Sequence, residues 1–201
     1  MPRPVSLVAF ALALLLAGSP ALAAETDSSS ETNYDVAGRT PVICTLTTDE
    51  GETRALVNFS TVDRNIFQID QMVSQASLST QAASFDLTLA GVCNSAHVIR
   101  LESLNNGLWQ VSEPPVARPE GFGTAIPYEV VTRWSDQQAD LAADAGVRQA
   151  HRISVPISSP ASGLLKLHFE IRQGATNLRA NAPIIAGAYS DTLTVILEPQ
   201  Q

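Results

Sequence analysis

Three histidines, two cysteines and a scatter of carboxylates are the residues in this chain with chemistry to offer. His97, His151 and His168 lie far apart, and none has a neighbour at metal-ligand spacing such as HxxxH or HxH. His168 alternates with apolar residues and so falls on a wet strand face, while His97, after Cys93, and His151, beside Arg152, read as surface positions. No G-x-S-x-G elbow, no phosphate-cradling G-x-x-x-x-G-K-[ST] and no G-x-G-x-x-G occurs. Asp49-Glu50, Asp140 and Asp144 read as solvated acids; a glycosidase pair assembled across strands is the one enzymatic arrangement left open. Without a converging constellation the expectation is a non-enzyme with no cofactor and no metal. Trp109 and Trp134 read as core or rim packing, with stacking on a sugar or a partner as the alternative. The stretch from Val111 to Phe122, with Pro114 and Pro115, is a candidate contact loop.

The cysteines take their meaning from the start of the chain. Met1-Pro2-Arg3 supplies a short positive region, and an apolar run follows from Val5 to Ala17. Ser19-Pro20 breaks that run, and Ala21-Leu22-Ala23 fits a small-x-small cleavage site. Residues 1–23 therefore read as a cleaved signal peptide; the run is too short to span a bilayer. In an oxidising compartment Cys44 and Cys93 most simply form one disulfide, the alternative being two unpaired thiols, and no CxxC suggests a redox or zinc site. The chain has 201 residues and a net charge of −8, which argues against nucleic acid and against an anionic membrane surface. With 45% hydrophobic residues and 16% charged, it is a folded chain of about one domain.

Residues 24–41 are polar and serine-rich and read as an N-terminal extension, with the folded domain over 42–201. In that domain the apolar residues recur every second position. Val42, Cys44 and Leu46 do so, as do Phe85, Leu87 and Leu89, then Ile126, Tyr128 and Val130, and Ile153, Val155 and Ile157. The clearest run is Leu165, Leu167, Phe169 and Ile171 against Lys166, His168, Glu170 and Arg172. Such alternation marks half-buried antiparallel strands. Asn105-Asn106-Gly107, Pro114-Pro115, Gly121-Phe122-Gly123, Ser158-Ser159-Pro160 and Gly187 supply turns between them. The pattern implies an all-β sandwich or barrel. Only Gln137 to Gln149, rich in alanine, reads as a short helix or a long loop.

Leu193, Val195 and Leu197 form the last run, with little sequence after them. The expectation is an edge strand beside apolar side chains, which is a template for another chain unless it is merely solvated.

Several segments carry a resemblance. Gly91-Val92-Cys93-Asn94, Val98 to Ser103 and Asn105-Asn106-Gly107-Leu108 resemble a central motif of the spore coat protein U domain family. That family includes pilin subunits of archaic (Csu-type) chaperone–usher pili. Pro127-Tyr128-Glu129-Val130 is similar to the strand that follows there, and Gly187-Ala188-Tyr189-Ser190-Asp191-Thr192-Leu193-Thr194-Val195 to its closing signature. Within that signature, Gly187 can enter the last strand through a conformation closed to other residues. Tyr189 would lay its ring on the core with its hydroxyl on backbone, as in a tyrosine corner, and Asp191 would cap the turn.

The resemblance implies an immunoglobulin-like β-sandwich lacking its last strand, exported through the periplasm to the cell surface. Its partners would be a periplasmic chaperone, an outer-membrane usher and other pilin subunits, which supply the missing strand across an edge at Leu193, Val195 and Leu197. In the extension only Tyr34 and Val36 could act as donor-strand anchors, worth about 3–5 kcal/mol when buried. The competing class is a complete, monomeric secreted sandwich that binds a small ligand or glycan.

Overall fold

The computed structural model describes residues 32–111 and 119–200, without the side chains of residues 48–52. The expected signal peptide, the first part of the extension and Pro114-Pro115 of the candidate contact loop lie outside the described residues. Two units are distinguished, Met1–Arg39 and Thr40–Gln201. In the first, residues 32–39 have no regular secondary structure and are exposed.

The second unit is all-β, and no helix occurs among the described residues. Its strands are β1 (Cys44–Val57), β2 (Phe59–Asp63), β3 (Ile66–Ile69), β4 (Ala83–Cys93), β5 (His97–Ser103), β6 (Leu108–Val111) and β7 (Ala125–Ile126). They continue as β8 (Tyr128–Trp134), β9 (Gln137–Ala143), β10 (His151–Ile157), β11 (Ala161–Ile171), β12 (Ala188–Ser190) and β13 (Leu193–Pro199). A five-stranded sheet has the order β1-β4-β11-β8-β9 and a three-stranded sheet the order β10-β5-β13. Two smaller sheets have the orders β12-β6-β7 and β2-β3, and among the described residues all the strand pairs are antiparallel.

The inner faces of the two main sheets share one core, which makes the unit a β-sandwich. Leu165, Leu167, Phe169 and Ile171 of β11 are buried, as are Val130 and Trp134 of β8. They pack with Ile99 and Leu101 of β5 and Leu197 of β13 in one hydrophobic cluster. The alternation in sequence thus becomes two faces, because successive side chains of a strand point opposite ways. Cys44 and Cys93 stand directly opposite each other in the β1–β4 ladder and are joined by a disulfide. Gly91, just before, admits no side chain: a Cβ there would lie 2.9 Å from the Trp134 ring and 3.1 Å from Leu197.

The alanine-rich segment requires a correction. Residues 137–143 are neither helix nor loop but strand β9, paired along its whole length with β8. Ala139, Leu141 and Ala143 are buried while Gln138, Asp140 and Ala142 face water. The alternation was present, but alanine is small, and its helix propensity is a weak prior that a neighbouring strand overrides. The rest of the segment, 144–149, is loop. The Asn105-Asn106-Gly107 turn does take positive φ, 54° at Asn106 and 131° at Gly107.

Candidate functional site

The sandwich is not evenly closed. Leu197 and Trp134 fill the core at one end of β13, and both are buried. Toward the other end, Leu193 and Val195 of β13, Leu46 of β1, Leu87 of β4, Leu108 and Phe67 pack against the core yet are only half-buried. They line a groove of ≈ 980 Å³ that runs beside β13. Its floor carries Phe85, Leu89, Leu167, Phe169 and Tyr128. The rings form a continuous stack, with Phe67 on Phe85 at 4.2 Å, Phe85 on Phe169 at 5.0 Å and Tyr128 on Phe169 at 4.7 Å.

The hydrogen-bond pattern shows what the groove's edge presents. Leu104 N donates to Thr192 O and Gln200 N to Ala96 O, so the even-numbered residues of β13 bond to β5. The N–H and C=O groups of Leu193, Val195 and Leu197 therefore face away from β5, and among the described residues no strand pairs with β13 on that side. Pro199 has the same parity and brings no N–H, which ends the open row. The opposite edge of this sheet is handled differently. Even-numbered residues of β10 face outward, Pro156 among them, so its missing donor falls on the free side and blunts that edge.

Gly187, Tyr189 and Asp191 shape the segment that enters β13 and also line the groove. Gly187 has φ 152°, and a Cβ there would meet the Gln110 amide at 2.7 Å. Tyr189 is half-buried and its hydroxyl donates to Ile185 O at 2.7 Å, the corner expected of it. Burial pushes its phenol up to about 12. Asp191 does more than cap a turn. It accepts from Tyr128 Oη at 2.7 Å, Ser103 Oγ at 2.5 Å, Asn105 N at 2.9 Å and Thr192 N at 2.7 Å. Asn105 Nδ2 and Gly107 N add longer bonds of 3.2 and 3.3 Å. One carboxylate thus ties β13 to β5, β8 and the Asn105–Gly107 turn. Tyr128 is buried, and desolvation is the main cause that raises its phenol far above the ordinary value.

The other singled-out residues lie elsewhere. Tyr34 and Val36 are 84% and 96% exposed. His168 is exposed on β11 and meets Asp86 directly across the ladder at 2.6 Å. His97 corrects its sequence reading: it is 0% exposed, and Trp134 Nε1 donates to its Nε2 at 2.8 Å. It opens β5, so strand parity turns it inward although the residues just before it are loop. Trp109 is half-buried, its Nε1 donating to Asn105 O. Asp144 is exposed, but bonds from Gly146 N and Asn106 Nδ2 hold its carboxyl below the usual range. Among the described residues no cluster of three or more His, Cys, Asp or Glu could hold a metal ion.

The arrangement can exchange main-chain hydrogen bonds along an edge while taking alternate side chains into an apolar trough. The residues that build that trough, Phe67 above all, are not apparent in the sequence as a group. The only signal was the short run Ile66-Phe67-Gln68-Ile69, with an apolar residue at Phe67 and again at Ile69. The chain matches no protein-family model, and no curated protein matches it significantly.

Proposed function

We propose that this chain is a structural subunit of a surface fibre or pilus that works by accepting a β-strand from another polypeptide. The observation that carries the reading is the coincidence, along β13, of half-buried core residues with an unpaired row of N–H and C=O groups. A strand laid there would gain about 0.5–1.5 kcal/mol per hydrogen bond and about 1.5–3 kcal/mol per buried apolar side chain. The protected β10 edge supports the same reading, since a chain that blunts one edge and leaves the other open beside apolar surface directs pairing to the second.

The domain is then an incomplete immunoglobulin-like sandwich. Its occupant is a strand of a periplasmic chaperone during export through an usher, and afterwards a strand of a neighbouring subunit. Head-to-tail strand donation does not close on itself and so builds a filament. Its own extension has only Tyr34 and Val36 to offer as anchors, so a strand from a different subunit is the stronger occupant.

The test is binding of a synthetic peptide that alternates Val or Ile with Thr, followed by size exclusion and calorimetry. The peptide should bind and should raise the melting temperature. A version N-methylated on the edge facing β13 should not bind. A protein that stays monomeric, melts cooperatively and ignores both peptides is instead the complete, ligand-binding sandwich.

A further inference from the structure

We infer that the β2–β3 hairpin is a hinged flap over the aromatic end of the groove, which swings about Asn58 to let a strand reach Phe85 and Phe169. The inference rests on the strand-accepting reading above. The hairpin forms a two-stranded sheet of its own, with no ladder to either main sheet among the described residues. Two strands alone are marginal in water, so side-chain contacts with the sandwich hold it in place.

Those contacts are graded along its length. At the base, Phe59 opposite Ile69 is buried, edge-on to Phe85 at 5.1 Å and to Phe169 at 5.7 Å. Farther out, Phe67 opposite Thr61 is half-buried and lies flat on Phe85, with 9° between the rings. The outer residues Val62 and Ile66 are 60% and 55% exposed. A strand that seats on the floor competes with Phe67 for the face of Phe85, while Phe59 stays anchored.

The pivot is one residue. Asn58 stands between β1 and β2 at φ 57°. Its Nδ2 donates to Gln71 O at 2.8 Å and to Ala82 O at 3.1 Å, and its Oδ1 accepts from Gln71 N at 2.8 Å. Its carbonyl accepts from Asp70 N. Both ends of the hairpin are thus clamped together and to the residue before β4, which makes its base the fixed point of the swing. Asn58 does not line the groove.

The experiment is amide hydrogen exchange by mass spectrometry on the disulfide-bonded protein, with stopped-flow association of the alternating peptide. Residues 60–68 should exchange at least tenfold faster than β4 and β11, by local opening. Asn58→Gly keeps the positive φ without strain and deletes the clamp. It should speed exchange of 60–68 and peptide association by about tenfold each, with β4 and β11 unchanged. Phe67→Leu, which keeps apolar volume but loses the stack, should speed exchange in the same segment. Exchange of 60–68 in one event with β4 and β11 overturns the flap, as does an unchanged association rate in Asn58→Gly. Peptide binding with either of those results leaves the strand-accepting reading intact; no peptide binding to any form overturns that reading, and the gate with it.

Discussion

Trp134 Nε1 donates a hydrogen bond to His97 Nε2 inside the sandwich, joining the end of β8 to the start of β5 where neither side chain touches water. His97 Nδ1 lies 2.9 Å from Ser95 O, so the ring donates there and accepts from the indole. His97→Leu should leave the indole N–H without a partner and cost about 1–3 kcal/mol in urea unfolding. Trp134→Phe should cost more, because it also leaves a cavity against Gly91 and Leu197.

Asp191 gathers donors from three elements, so its loss should exceed that of any single bond. Asp191→Ala should destabilise the domain by about 3 kcal/mol or more, since it takes from the buried Ser103 and Tyr128 hydroxyls the carboxylate that both donate to. Chemical denaturation of the isolated domain reads this directly, and Asp191→Asn should fall between the two.

Thr132 is fully buried on β8, and its Oγ1 has no hydrogen-bond partner among the described residues. Replacement by valine keeps the shape and removes the unsatisfied hydroxyl. Thr132→Val should stabilise the fold by about 1 kcal/mol, seen as a rise in the urea midpoint with an unchanged slope.

Tyr189 gives the alkaline limb of the stability profile a sign. Below pH 10 its phenol keeps its proton in both states; between 10 and about 12 the unfolded chain releases it while the folded chain does not. The native state then binds more protons, so stability falls as pH rises through that window. The raised Tyr128 phenol acts in the same direction and carries the decline further. Tyr189→Phe should cost about 1 kcal/mol at pH 8 through the lost bond to Ile185 and should flatten the decline from pH 10 to 12.

Cys44 and Cys93 close a loop with a sequence separation of 49. The double Cys→Ala variant should lose about 4 kcal/mol in the loop-entropy account. The loss should show as a lower guanidinium midpoint, and reduction of the unaltered protein should reproduce it.

The sequence alone determined the strands whose two faces differ in polarity. Leu165 to Ile171 of β11 could be read because alternation with Lys166, His168 and Glu170 needs no knowledge of neighbours. The Asn106-Gly107 turn and the cysteine pair were legible for a related reason: each rests on local backbone geometry or on redox chemistry that short stretches of chain carry. What stayed illegible depends on partners distant in the chain. β9 hid behind alanines until β8 gave it a ladder, and His97 turned inward because β5 begins with it. The groove was decided only by the tertiary structure. Phe67, Phe85, Tyr128 and Leu193 come together across four strands, and whether an edge is open depends on which strand lies beside it, a relation between segments that no periodicity within one segment encodes.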